Sequence, residues 1–146
     1  MAISIWEVSV LDGPLEFPGQ LSDPDSGAVI DFWGRVRGIE DKRELEGITY
    51  EVHRTMAEHQ MNLLAEKATV DFFLTGLVLR HRVGFVSVGE ASLFLRVASR
   101  HRAAAFAASQ WLIKELKQKV PIWKRPVFKT AETARREQQL EEASSR

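Results

Sequence analysis

The chain has no cysteine among its 146 residues, which excludes disulfides, thiolate metal ligands and cysteine nucleophiles. It also lacks any apolar run approaching the ~20 residues needed to span a bilayer. Its first residues, MAISIWEVSV, have neither the charged start nor the apolar core of a signal peptide, so the expected address is the cytoplasm, away from membranes. Net charge is absent as well, since 20 basic and 20 acidic side chains cancel. The broad positive footprint of a nucleic-acid-binding domain is therefore missing, and any anion recognition must come from local patches. The four histidines, His53, His59, His81 and His101, show no paired metal-ligand spacing such as HExxH, and no metal site is expected. Chemistry must rest on lysine, arginine, histidine or carboxylates.

What is present is an unusual concentration of cations on one stretch, SRHRAAAFAASQWLIKELKQKVPIWKR, from Ser99 to Arg125. Ser99 reads as an N-cap and the alanine-rich run predicts a helix from about Arg100 to Lys119, with Pro121 enforcing the stop. Arg100, His101 and Arg102 in the first turn have the wrong sign for a helix N-terminus, which attracts negative charge. They are either solvated or locally paired cations, or they hold an anion together with the backbone N–H groups. At the other end, Lys117 follows Ile113 by one turn, on the edge of an apolar stripe of Phe106, Ile113, Leu116 and Val120. A lysine so placed either snorkels along the core edge or loses its proton more readily and serves as nucleophile or proton carrier.

The remaining chain reads as scaffold. Ile3 to Val10 predicts a strand, and Asp12 to Gly27, with three prolines and three glycines, an irregular connection. Ala28 to Arg37 alternates cleanly as a strand, Gly34 marking a bulge or a close backbone approach. Gly38 to Glu46 reads as a charged mobile loop, and Gly47 to His53 as a strand pairing antiparallel with the one before it. Ala57, Met61, Leu64, Ala68 and Phe72 recur at helical spacing, predicting a helix from Thr55 to Phe73 with a Thr55/Glu58 capping box. Leu77 to His81 and Ser92 to Ala98 are further strands, with a short or bulged strand between them and a turn at Gly89-Glu90. Two helices with an antiparallel or mixed sheet make an α+β fold. Residues 1–126 are expected to form one domain and residues 127–146 a polar tail, which is a solvated helix, a disordered end or an arm on a partner chain.

Five pieces together resemble the large, catalytic subunit family of molybdopterin synthase: GAVIDFWGRVR (Gly27 to Arg37), YEVHRTMA (Tyr50 to Ala57), HRVGFVSVGE (His81 to Glu90), SRHRAAAF (Ser99 to Phe106) and LKQKVPIWKR (Leu116 to Arg125). The resemblance implies an α/β hammerhead-type fold with an extra small antiparallel sheet. It implies a homodimer that binds two copies of a small ubiquitin-like sulfur carrier, giving a heterotetramer. The implied reaction converts cyclic pyranopterin monophosphate into molybdopterin, with no cofactor. Sulfur arrives on the carrier's C-terminal Gly-Gly thiocarboxylate, which suits a chain without thiols.

Carried over by position, Lys117 and Lys124 match the family's active-site lysines, Lys117 nearest the carrier's terminal glycine and Lys124 at the substrate. Arg37, His101 and Arg102 match an anion pocket for the substrate's cyclic phosphate. Arg125 adjoins Lys124. Phe32 and Met56 match positions near the pocket, or are simply core. Arg135 in the tail is a candidate to complete the pocket across the dimer. Pro126, where the family usually places an acidic residue, and a 38–46 loop without the family's usual glycine are departures. The competing reading is a non-catalytic dimeric module that binds a ubiquitin-like partner or a phosphorylated ligand without turnover.

Overall fold

A computed structural model describes residues 5–145. The elements run β1 (Trp6–Leu11), β2 (Ala28–Arg35), β3 (Ile39–Glu40), β4 (Arg43–Val52), α1 (Arg54–Asp71), β5 (Gly76–Arg82), β6 (Gly84–Ser87), β7 (Ala91–Ser99), α2 (Arg102–Lys119), β8 (Ile122–Phe128) and α3 (Ala131–Ser144). Of the first expected strand, Ile3 and Ser4 lie outside the described residues.

A four-stranded mixed sheet in the order β1-β5-β7-β2 forms the main layer, with β1 parallel to β5 and the other pairs antiparallel. Helices α1 and α2 pack on it through their small and aliphatic positions, including Ala57, Met61, Ala68, Ala105, Ala108 and Leu112. Alanine at these sites lets the helices lie close to the sheet. Fully buried Phe94, Met61 and Leu79 fill the interior, each such side chain stabilising the fold by about 1.5 to 3 kcal/mol. Beside this layer stands a small antiparallel sheet in which β4 pairs with β3, β6 and β8, on a separate cluster of Val36, Leu45, Ile48, Tyr50 and Val86. This is the expected α+β architecture of helices on a mixed sheet with an extra small sheet. Among the described residues no helix is long and apolar enough to cross a membrane.

Several local expectations are corrected. The strand from Gly47 does not pair with β2, whose partner is β7, because Gly38 ends the first alternation and the chain turns into another sheet. The 38–46 segment is a hairpin rather than a loop: Asp41 and Lys42 take φ of 51° and 62°, the left-handed pair that a two-residue turn of this type requires. His53 caps α1, its Nδ1 accepting from the Met56 N–H at 3.2 Å, so Thr55 and Glu58 form no capping box. His101 is the N-cap of α2 and makes no side-chain capping bond, while Ser99 donates to the His101 carbonyl. Phe106 is 59% exposed and leaves the apolar stripe. The Gly34 irregularity is present as a register shift between β2 and β7, and Gly89, at φ 87°, makes the turn before β7.

No alternation in the sequence marks the strand β8. It runs through Pro126 into the stretch read as tail, and α3 beyond it is a helix with no buried residue. Proline is tolerated there because, among the described residues, β8 pairs with β4 alone and its other edge is open.

Candidate active site

Strand β8 decides the site. Its antiparallel register sets Lys124 opposite Tyr50 and Arg125 opposite Thr49, so alternation turns Lys124 to one face of the small sheet and Arg125 to the other. Lys117 comes from the last turn of α2, where Val120 ends the helix in extended geometry and leads directly into β8. The two lysines meet at a cavity of about 300 Å³ with Tyr50 and His81, its apolar wall made by Leu116, Val120 and Ile122. Arg125 is held on the outer face by an ion pair with Glu51 at 3.0 Å.

A second, smaller cavity of about 60 Å³ shares Tyr50 and Lys124 with the first and adds Arg35, Arg37 and Glu40. Arg37 thus joins the lysine site. Glu40 Oε2 is buried there with no hydrogen-bond partner among the described residues. The Tyr50 hydroxyl is pushed above its ordinary pKa, chiefly by burial and also by the Glu40 charge, against a lowering hydrogen bond from Ser92. It remains a hydrogen-bond donor at neutral pH. Across the two cavities four cations, Lys117, Lys124, Arg35 and Arg37, and one phenol face a single carboxylate, Glu40, an environment suited to holding an anionic tail or phosphate.

His81 is 6% exposed and touches Tyr50 edge to face, with ring centroids 5.2 Å apart. Its Nδ1 lies 2.7 Å from the Arg82 carbonyl oxygen. Burial, with a smaller push from Lys124 and against that hydrogen bond, lowers its pKa to about 4. The ring is neutral under physiological conditions. Tyr50 and His81 open two of the five sequence pieces, yet neither stood out. Their local signals are strand alternation alone, which buries Tyr50 with Ile48 and His81 with Leu77 and Leu79.

The other candidates lie elsewhere in the chain. His101, at the start of α2, borders a different cavity of about 780 Å³ with Arg100, Phe72 and Phe73, and Arg102 is exposed beside it. Sixteen residues of helix separate His101 from Lys117, roughly 24 Å at 1.5 Å per residue. One chain does not unite Arg37 with His101 and Arg102. Arg135 lies exposed on α3, bonded to the Ala131 carbonyl at 3.4 Å. Phe32 and Met56 are 37% and 50% exposed, so neither is a core residue, and neither borders the lysine cavity. Among the described residues no group of three or more metal-ligating side chains converges.

A molybdopterin synthase catalytic subunit of Thermoplasma volcanium is 35% identical over 115 residues, covering 79% of this chain and 84% of that protein. The crystal structure of molybdopterin synthase from Staphylococcus aureus superposes with a TM-score of 0.75 at 24% identity, over 84% of this chain and 91% of that one. A Helicobacter pylori complex of subunits 1 and 2 of molybdopterin-converting factor gives 0.65 at 20% identity, over 85% and 90%. These last two likenesses are of fold. The family model described as MoaE protein matches residues 14–119, and the chain belongs to that family.

Proposed function

We propose that this chain is the catalytic subunit of a molybdopterin synthase, a cytoplasmic sulfurtransferase. The observation that carries the reading is the convergence of Lys117 and Lys124 on one cavity with apolar walls, adjoining Arg37, in a chain 35% identical to a protein of that name. A small ubiquitin-like carrier inserts its C-terminal Gly-Gly thiocarboxylate. The thiocarboxylate sulfur attacks a side-chain carbon of cyclic pyranopterin monophosphate, forming a C–S bond as that carbon's C–O bond breaks and the oxygen stays on the phosphate or leaves as water. A further water then cleaves the acyl–sulfur bond, leaving the carrier as a carboxylate. A second carrier repeats the delivery to complete the dithiolene.

Lys117 holds the carrier's terminal carbonyl and thiocarboxylate charge, and its deprotonated amine attacks that carbonyl to form an isopeptide bond when sulfide, rather than the transferred sulfur, is the leaving group. Lys124, facing Tyr50, binds the substrate and assists proton transfer at the reacting carbons. Arg37 anchors the cyclic phosphate. His101 and Arg102, at the far end of α2, complete this anion pocket in a homodimer, where one protomer's helix start meets the other's lysine cavity; Arg135 is a further candidate from across that interface. Each dimer then binds two carriers.

The test is product formation from cyclic pyranopterin monophosphate with thiocarboxylated carrier, read as the fluorescent oxidised pterin. Carrier-dependent product supports the proposal. A stable carrier complex with no product would instead make the chain a binding module.

A further inference from the structure

Resting on that functional reading, the inference concerns a residue outside the lysine and arginine set. His81 ends the buried part of β5, where it pairs with Leu93 of β7 and Val10 of β1, so its backbone belongs to the main sheet. Its ring leaves that sheet and borders the lysine cavity of the small one. A carbonyl oxygen only accepts, so the 2.7 Å contact with the Arg82 carbonyl requires the proton on Nδ1. That leaves Nε2 as the ring's one remaining polar atom, an acceptor with a free lone pair.

The groups around it are cations and a phenol: Lys117 from α2, Lys124 from β8 and Tyr50 from β4. Neither lysine is paired with a carboxylate among the described residues. Lys124 is the closer in effect, since its charge acts on the ring and its strand partner Tyr50 touches the ring directly. A long flexible ammonium beside a buried neutral acceptor has one partner that can restrict it without neutralising it. We propose that His81 is a positioning residue, whose Nε2 accepts a hydrogen bond from the Lys124 ammonium, directly or through one water, and aims that charge into the cavity.

Two substitutions separate this role from a merely structural one. His81→Asn keeps a donor near Nδ1 for the Arg82 carbonyl but places nothing at Nε2, whereas His81→Gln keeps a polar group near Nε2 and loses the other. The proposal expects kcat of sulfur transfer to fall roughly 10- to 100-fold in the Asn variant, with carrier affinity retained and the Gln variant recovering most of the rate. In a Lys124→Ala background, His81→Asn should cost less than about twofold more. The reverse order, with Asn active and Gln inactive in step with stability, would overturn the proposal, as would full additivity with Lys124→Ala. An independent readout is the nitrogen NMR spectrum of His81 in the wild-type chain. The Nδ1–H tautomer, with an Nε2 resonance that moves in Lys124→Ala, is expected even if the sulfur-transfer assay yields no product. An Nε2–H tautomer overturns the inference by itself.

Discussion

At the residue scale, the two ends of the chemistry can be separated by substitution. Lys117→Ala should lower product formation by roughly 100-fold or more while the carrier complex and the unfolding midpoint stay close to wild type, since Lys117 is exposed and supports no core contact. Loss of folding in that variant would make it structural. His81 carries a pH signature of its own. Its pKa is lowered from 6.5 to about 4 in the folded chain, so below about 6.5 the unfolded chain takes up a proton that the native ring refuses. The stability contributed by the neutral ring is complete above that range and is lost as pH falls toward 4. The loss approaches about 3 kcal/mol. Urea unfolding at pH 7 and pH 5 should therefore show a larger drop for wild type than for His81→Gln, and equal drops would contradict the burial argument.

At the scale of elements, the site depends on how closely β4 and β6 approach. A Cβ on Gly47 would lie 2.3 Å from the Val86 carbonyl oxygen and 2.7 Å from the Phe85 ring. Gly47→Ala should destabilise the chain by about 1 to 3 kcal/mol and, by shifting the strand that carries Tyr50, lower activity more than its stability loss explains. Differential scanning calorimetry beside the activity assay checks both. Helix α1 ends differently: Phe73 takes φ 53° while the Leu74 N–H reaches back to the Thr69 carbonyl at 3.1 Å, a left-handed cap that usually employs glycine. Phe73 is 85% exposed, so Phe73→Gly should raise the stability of the isolated chain by about 1 kcal/mol, measured by urea midpoint.

At the scale of the molecule, the separation of Lys117 from Arg102 makes a sharp demand. If one protomer's Arg102 serves the other's lysine cavity, mixing inactive Lys117→Ala with impaired Arg102→Ala chains should restore activity in the mixed dimers. Random pairing leaves about a quarter of the sites intact. No recovery, in a population shown to exchange subunits, would place the arginine outside the site. The same separation explains why the sequence could name both groups but not relate them. Lys117 and Lys124 are only seven positions apart and meet through one helix stop, whereas Arg102 lies at the far end of a rigid helix.

The sequence by itself determined helices α1 and α2, the strands of the main sheet and the chemistry available. Apolar spacing is a local property, and Ala57, Met61, Leu64 and Ala68 declare their face without reference to any other element. Composition likewise confined reactivity to nitrogen bases and carboxylates. Only the tertiary structure decided how the second sheet is assembled: that 38–46 is a hairpin, that β4 abandons β2, and that IWKRPVF forms β8 on its far edge. Pairing between Tyr50 and Lys124 joins residues 74 positions apart, and no local propensity encodes such a partner. His81 became visible for the same reason. A histidine at the end of a strand is unremarkable until the fold closes a lysine cavity around its ring.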